Sequence, residues 1–257
     1  MLVVISPAKS LDFESATTIQ THSQPMALNK TQTLIKILKQ KKPADLAALM
    51  KISDKLSQLN VDRYQAWQKQ THLENSKQAI LAFQGDVYRG LDAKTLDHHG
   101  LKFAQKHLRI LSGLYGMLKP LDLIQPYRLE MGTKLTNPKG ENLYAFWGNA
   151  IAKAINAELR EHSESVLVNL SSQEYFKAVD LKTLDFPVIT PVFKDLSHGK
   201  YRVLGLFAKY ARGLMSRYMI DHRIKKAADL KSFDCEGYYF NPSLSDDHQW
   251  VFTRDQR

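Results

Sequence analysis

Small and positively charged residues are interleaved in the stretch 101–132 in a pattern that could bind a phosphate. Ser112, Gly113 and Gly116 lie in a turn whose two glycines suit a positive φ or a close backbone approach. Backbone N–H groups of such a turn, with the start of a following helix, can hold phosphate oxygens. The cations available to surround that phosphate are Lys102, Lys106, Arg109, Lys119 and Arg128.

Helices are predicted on both sides of this turn. Leu101, Ala104, Leu108 and Leu111 make one apolar stripe at helical spacing, and a second helical turn is predicted over 117–125. The whole stretch is therefore helix–hairpin–helix-like. Its glycines are spaced G-x-x-G, whereas DNA-binding hairpins of this kind usually have G-x-G. The same residues could equally be a helical pair packed into the core.

Polar residues also follow two predicted strands. Ser6 and Lys9 come at the end of the strand predicted over 2–6. Ligands of α/β sheets tend to bind off the carboxyl ends of strands, so Lys9 could contact a phosphate or carboxylate. Ser6 and Lys9 also match the S-x-x-K pattern of serine–lysine nucleophiles, but the partner motifs of that chemistry are missing. A solvated lysine is the simplest alternative.

The second such strand, predicted over 166–170, ends at a possible anion site. Ser171 and Glu174 have the spacing of a capping box, and Tyr175 and Lys177 follow in the predicted helix. The start of that helix could hold an anion. Capping alone would explain Ser171 and Glu174 without a ligand.

A glycine-bracketed segment between 85 and 90 carries Asp86 and Arg89. Such a segment can line a cleft, and it can equally be a turn with an aromatic anchor. With the strand-end residues it forms an alternative pocket for a small phosphorylated or nucleotide-like molecule.

A long helix predicted over 207–226 has a basic face. Lys209, Arg212, Arg223 and Lys226 fall within an arc of about 100°. A face of this kind can follow a nucleic-acid backbone, because each neutralised phosphate releases a counterion. A solubilising face is the alternative. Lys9 and Lys55 are weaker candidates for the same surface.

Charge is concentrated in two segments of this 257-residue chain. Its formal net charge is +10; five lysines without an acid give +5 over 30–42, and ten cations against three acids give +7 over 194–231. Clustering favours a basic face and a polyanionic partner. No apolar run approaches the length that spans a bilayer. We expect no membrane partner, and a monomer is favoured.

No metal or cofactor is expected. His98 and His99 are adjacent and therefore cannot share a helix face, and no His-Glu-x-x-His pattern occurs. Cys235 is the only cysteine, so neither a disulfide framework nor a cysteine metal cluster can form within the chain. No secretory signal is apparent at the N-terminus. The expected compartment is the cytoplasm.

The predicted fold class is α/β, of the mixed α+β kind, as a single compact domain over 1–257. A mixed sheet is expected to be surrounded by helices. Strands are predicted at 2–6, 166–170, 188–193, 201–207 and 249–253, and helices at 29–40, 43–50, 53–64, 143–159 and 207–226.

Long segments over nearly the whole chain are specific in sequence. They are ISPAKS at 5–10, ISDKL at 52–56, AILAFQGDVYRGL at 79–91, HLRILSGLYGMLKPLDLIQPYRLEMG at 107–132, LYAFWG at 143–148, VNLSSQEYFKAV at 168–179 and ARGLMSRYMI at 211–220. Together they resemble the YaaA family of bacterial peroxide-stress-response proteins.

The resemblance implies a single, unusual α/β domain and a cytoplasmic protein. It implies a role in surviving hydrogen peroxide by limiting free iron and oxidative damage. It also implies binding of DNA through a positively charged cleft and a helix–hairpin–helix-like element, which maps onto 102–125.

The leading hypothesis is therefore a non-catalytic, weakly sequence-specific binder of duplex DNA. The alternative is an enzyme acting on a phosphorylated or nucleotide-like small molecule in the strand-end pocket. A protein-interaction module with an acidic partner is a third possibility. A deep pocket joining Lys9 to the turn at 171–177 would favour the enzyme, and a wide basic groove would favour DNA.

Overall fold

The computed structural model describes residues 1–255. Its α-helices are α1 Leu28–Leu38, α2 Pro43–Met50, α3 Asp54–Ala66, α4 Ala79–Ala82, α5 Asp86–Leu91, α6 His98–His107, α7 Leu143–Trp147, α8 Ala150–Leu159, α9 Gln173–Phe176 and α10 Gly205–Asp221. Its strands are β1 Leu2–Ile5, β2 Ser10–Leu11, β3 Lys77–Gln78, β4 Phe83–Gln84, β5 Leu108–Ser112, β6 Gly116–Leu118, β7 Leu123–Ile124, β8 Leu167–Leu170, β9 Val188–Ser197, β10 Lys200–Arg202, β11 Tyr239–Phe240 and β12 Gln249–Arg254.

A mixed main sheet organises the described residues. Its strand order is β11-β12-β9-β8-β1-β5-β6, with β10 paired to β9 outside this path. The five strands from β12 to β5 run parallel, while β6, β10 and β11 are antiparallel to their neighbours. The carboxyl ends of the parallel strands therefore share one edge of the sheet, here called the carboxyl edge. The opposite edge is the amino edge.

The predicted mixed α/β class is confirmed, and the central strands follow directly from their sequences. β1 reads LVVI and β8 reads LVNL, and every residue of both strands is buried. Near-continuous apolar runs are typical of parallel strands covered on both faces. The buried apolar side chains form one cluster that extends from Met1 to Phe252.

The helices predicted in the first quarter of the chain are present as α1, α2 and α3. Ser53 caps α3, since its side chain accepts a hydrogen bond from the backbone N–H of Leu56 at 3.4 Å. Pro43 occupies the first turn of α2, where its missing N–H is not needed.

The helix–hairpin–helix prediction for the central stretch is wrong. α6 ends at His107, and the next five residues form β5, which is buried along its whole length and pairs with β1. β6 then returns antiparallel, so the turn at Ser112–Gly116 closes a β-hairpin. The leucine stripe that suggested one long helix is shared between a helix and a strand. Tertiary pairing with β1 overrides the helical spacing here.

Three other elements differ from the sequence predictions. The strand expected over 201–207 ends at Arg202, and α10 already begins at Gly205. α10 ends at Asp221, and Arg223 has a positive φ of 53°. The helix expected over 143–159 is two helices, because Gly148 breaks it with a φ of 50°.

Candidate functional site

The connections of the main sheet define a switch point. The chain leaves β1 toward β5 on one side and leaves β8 toward β9 on the other, while β1 and β8 are parallel neighbours. In open α/β sheets, ligands bind in the crevice outside the carboxyl ends of strands at such a point. The crevice in this protein lies beyond Ile5 and Leu170.

Direct hydrogen bonds join the two loops that leave these strands. The backbone N–H of Ser172 donates to Ser6 Oγ at 2.8 Å, and Ser6 Oγ lies 3.3 Å from Ser172 Oγ. The buried Tyr88 hydroxyl donates to the carbonyl oxygen of Ser6 at 3.0 Å. Both loops and α5 are therefore held in one arrangement around the crevice.

A cavity of about 410 Å³ occupies the crevice and is here called the strand-end cavity. Its walls come from the loop after β1, from α5, from the loop after β8 and from α10. The charged side chains that line it are Lys9, Asp86, Glu130, Glu174, Lys209 and Arg212. A neighbouring cavity of about 560 Å³ shares Asp86 with it and also contacts Arg89.

Two glycines bring α10 against this cavity. A Cβ at Gly90 would lie 2.4 Å from the carbonyl oxygen of Tyr210, and one at Gly213 would lie 1.9 Å from that of Val87. The backbones of α5 and α10 are therefore in contact, and only glycine permits that approach. This contact fixes the position of Arg212, one residue before Gly213.

The two cations of α10 that line the cavity have no carboxylate partner. Within residues 1–255, no carboxylate oxygen lies within 4.0 Å of the side-chain nitrogens of Lys209 or Arg212. Arg212 is partly buried, and this burial lowers the pKa of its guanidinium. An arginine that is withdrawn from water without a partner is poised to accept an anion.

Two of the three acids that line the cavity are paired with cations of the protein. Glu130 Oε1 accepts from Arg128 Nη2 at 3.0 Å and lies 3.6 Å from Lys9 Nζ. Asp86 Oδ1 lies 3.3 Å from Nη2 of Arg89. The lining charges left without an ionic partner are those of Lys209, Arg212 and Glu174, which is an excess of one positive charge.

The expected capping box after β8 is wrong. Ser172, not Ser171, precedes α9, and its side chain makes no capping hydrogen bond. Ser171 Oγ donates to Asn169 Oδ1 at 2.7 Å, and Glu174 Oε1 accepts from the backbone N–H of Gly132 at 2.9 Å. Glu174 therefore connects α9 to the segment after Glu130.

The structure brings together most of the predicted small-ligand pocket. The members that line the strand-end cavity are Ser6, Lys9, Asp86, Glu174 and Tyr175. Ser171 is buried beside Asn169, and Lys177 lies over the Tyr144 ring, with its Nζ 5.0 Å from the ring centroid. Sequence reasoning missed Glu130, and no pattern could have placed it beside Lys9, 121 residues earlier in the chain.

Residues of the central turn cannot contact DNA in this structure. Ser112 Oγ lies 2.7 Å from the Tyr127 hydroxyl, and it accepts from the backbone N–H of Tyr115 at 2.9 Å. Gly113 and Gly116 are buried, the first against Leu129 and the second against the ring of Trp147. These residues support the hairpin that carries β6.

Arg109 is also a structural residue. It is 3% exposed, it pairs with Glu158, and its Nη1 donates to the carbonyl oxygen of Gln105 at 2.9 Å. Lys119 Nζ lies 4.0 Å from the same Glu158 carboxylate. The predicted phosphate clamp is thus an internal ion pair.

The remaining predicted cations do not form one surface. Lys106 lies close enough to the Met1 amino group to lower its pKa, at the amino edge. Lys226 precedes Ala227, whose N–H donates to Glu164 just before β8, so it also lies at the amino edge. Lys209 and Arg212 are at the carboxyl edge, in the first half of α10. The 17 residues of this helix measure about 25 Å from end to end. α10 ends before Arg223 and Lys226, so the basic face predicted along one helix over 207–226 is wrong.

Three further predicted contacts lie elsewhere. Lys102 is exposed on α6, and Arg223 lies over the Phe103 ring of the same helix, with 5.6 Å between its guanidinium carbon and the ring centroid. Lys55 is exposed on α3. None of the three lines the strand-end cavity.

These observations define a mixed α/β protein with a cavity at the switch point of its sheet. No helix within residues 1–255 is long and apolar enough to cross a membrane.

Comparison with known proteins gives the family. The family model described as Peroxide stress protein YaaA matches residues 1–244. A UPF0246 protein of Hahella chejuensis is 52% identical over 255 residues, which cover 99% of this chain and 100% of the relative. A UPF0246 protein of Ralstonia nicotianae is 54% identical over 254 residues, which cover 99% of both chains. The chain belongs to the YaaA family of peroxide stress proteins.

Proposed function

We propose that this peroxide stress protein binds duplex DNA through phosphates at the mouth of the strand-end cavity. The observation that carries the proposal is the partly buried Arg212 guanidinium, which has no carboxylate partner in residues 1–255 and lies one helical turn from Lys209. The net charge of +10 favours a polyanion. Phosphate contacts position a duplex and carry little sequence information, so the sequence preference is weak.

The wider role follows from this binding. The protein works in the cytoplasm as a monomer, and it limits free iron and oxidative damage as a consequence of binding DNA. Within residues 1–255, no three His, Cys, Asp or Glu side chains are grouped to hold a metal ion, and we therefore assign no direct iron ligand.

A salt series on two charge-matched double variants tests the site. The first variant, Lys209→Gln/Arg212→Met, removes two charges at the carboxyl edge. The second, Lys106→Gln/Lys226→Gln, removes two at the amino edge. Fluorescence anisotropy with a labelled duplex of about 25 base pairs gives the slope of log affinity against log salt, to which each phosphate contact contributes about 0.9.

We expect the carboxyl-edge variant to bind more weakly and to lower the slope by about 2. The amino-edge variant should bind like the unmodified protein. Equal losses in the two variants would show a diffuse charge effect. No binding by the unmodified protein at low salt would exclude DNA as the partner.

A second candidate function uses the same cavity for a small molecule. The cavity volume of about 410 Å³ lies within the range of small-molecule sites, and its walls join Lys9 to Ser172 and Tyr175. This enclosure favours an enzyme that acts on a phosphorylated or nucleotide-like substrate. Lys9 would contact the phosphate, since it lines the cavity.

Competition distinguishes the two functions. If the small-molecule function is correct, a nucleoside monophosphate that fits the cavity should raise the thermal unfolding temperature of the unmodified protein and not that of Arg212→Met. It should also displace the duplex at micromolar concentration. If nucleotides neither stabilise the protein nor displace the duplex, the small-molecule function is excluded and the DNA proposal stands.

A further inference from the structure

A separate cavity of about 330 Å³ lies beside β6, the edge strand of the main sheet, between the start of α1 and the start of α8. Its walls are apolar apart from Asn29 and Lys30. The apolar side chains that matter below are Met26, Met117, Trp147, Ile151 and Ala154. We call it the edge cavity.

Lys30 lines this cavity, and Lys139 lies beside Lys30. Lys30 Nζ lies 5.7 Å from the centroid of the Trp147 ring, and Lys139 Nζ lies 6.0 Å from that of Phe146. Partial burial and the neighbouring ammonium of Lys139 lower the pKa of Lys30. No carboxylate of residues 1–255 lies within 4.0 Å of either ammonium. The two positive charges therefore repel each other without a counter-charge from the protein.

The start of α1 adds to this positive potential. α1 begins at Leu28 with no side-chain cap and no acid in its first turn, and Lys30 is in that turn. A cation there is unfavourable for the helix dipole, and an anion would be favourable. A nearby negative charge would therefore stabilise both the lysine pair and the start of α1.

The apolar walls of the cavity favour contact with a hydrocarbon group of a ligand. Met26 is 56% exposed, although it is a large hydrophobic side chain. Methionines adapt their shape to irregular apolar ligands, and Met26 and Met117 both line the cavity. The small side chain of Ala154 leaves room on the α8 wall.

We propose that the edge cavity binds a small amphiphilic acid, whose carboxylate lies between Lys30 and Lys139 and whose hydrocarbon tail contacts Met26, Met117 and Ile151. A bare phosphate would satisfy the lysines and leave the apolar walls in water. An uncharged hydrocarbon would fill the cavity and leave the lysine repulsion in place. This site is distinct from the strand-end cavity, with which it shares no lining residue.

Calorimetric titration of the full chain with octanoate tests the proposal, with octanol and inorganic phosphate as comparison probes. Octanoate should bind at least tenfold more tightly than either comparison probe. Lys30→Gln/Lys139→Gln should weaken octanoate binding at least tenfold. The matched control Lys36→Gln/Lys153→Gln removes two exposed charges from α1 and α8 and should bind octanoate unchanged.

A cavity-filling variant tests the tail separately. Ala154→Leu should abolish octanoate binding, and its thermal unfolding shows whether the fold is retained. Absence of octanoate binding to the unmodified protein would overturn the proposal. So would octanoate affinity that the lysine substitutions leave unchanged, or phosphate affinity equal to that of octanoate, since the tail would then contribute nothing.

Discussion

Arg109 and Arg212 occupy two regions that offer the same residue types and use them differently. Arg109 begins the central hairpin, where the pattern of serine, glycine and cations predicted a phosphate clamp. Its guanidinium is buried against Glu158 and two backbone carbonyls. Arg212 lies at the carboxyl edge, partly buried, with no carboxylate within 4.0 Å in the described chain.

A cation is available to an anionic ligand only where the protein supplies no carboxylate to pair with it. Removing Arg109 would leave the partly buried Glu158 carboxylate with only the Lys119 ammonium, 4.0 Å away, so the loss of Arg109 would cost stability. Removing Arg212 would relieve a desolvated charge. The following predictions separate the two regions by stability and by DNA affinity.

The largest expected effect is on stability at Arg109. Arg109→Met should lower the free energy of unfolding by about 3 kcal/mol, because it leaves the partly buried Glu158 carboxylate with only Lys119 and removes hydrogen bonds to two backbone carbonyls. Arg212→Met should change it by less than about 1 kcal/mol. Urea denaturation of the two variants checks this contrast. Equal stability losses would mean that Arg212 has a structural partner after all.

A smaller loss is expected at the contact between α5 and α10. Gly213→Ala places a Cβ within 1.9 Å of the Val87 carbonyl oxygen and should lower the free energy of unfolding by roughly 3 kcal/mol. Gly205→Ala on the same helix is the control, because nothing lies within 4 Å of the added Cβ. If Gly213→Ala is as stable as Gly205→Ala, the helices are not held by this close approach.

The amino edge should respond to pH. Burial lowers the pKa of His107 to about 4, from its ordinary value near 6.5. Between these values the unfolded chain binds more protons, so the free energy of unfolding should fall by about 2 kcal/mol between pH 7 and pH 5 through this group. Denaturation across that range checks the size of the fall. His107→Gln should remove this component, and an unchanged pH slope in the variant would contradict it.

The smallest effect is expected at the central turn. Ser112→Ala removes hydrogen bonds to Tyr127 and Tyr115 and should cost about 1 kcal/mol of stability. Because Ser112 is buried, DNA affinity measured on the folded variant should not change. A clear loss of DNA binding would mean that the central turn contributes to the DNA interface.

Local pattern predicted much of the fold. The apolar runs of β1 and β8, the helices α1, α2 and α3 and the mixed α/β class follow from the spacing of apolar residues that are close in sequence. The central stretch could not be predicted in this way, since the leucines at 108 and 111 fit a helix face and a buried strand equally well. Only the position of β1 beside them decides between the two.

The strand-end site was predictable in part. Ser6, Lys9 and Arg212 were identified from strand ends and a basic helix segment. Their assembly depends on contacts between distant segments, such as Lys9 with Glu130 and Gly213 with Val87. Whether a charged side chain is exposed also depends on distant partners. The pairing of Arg109 with Glu158 cannot be read from the residues around Arg109, so its local sequence predicts an exposed phosphate contact.

Chemical footprinting of lysines tests directly whether DNA binds at the mouth of the strand-end cavity. Acetylation of the protein with and without saturating duplex, read by mass spectrometry, compares individual lysines in one sample. We predict that DNA protects Lys9 and Lys209 at the carboxyl edge and leaves Lys106 and Lys226 reactive. Protection of Lys106 and Lys226, with Lys9 and Lys209 still reactive, would contradict the account and move the DNA interface to the amino edge.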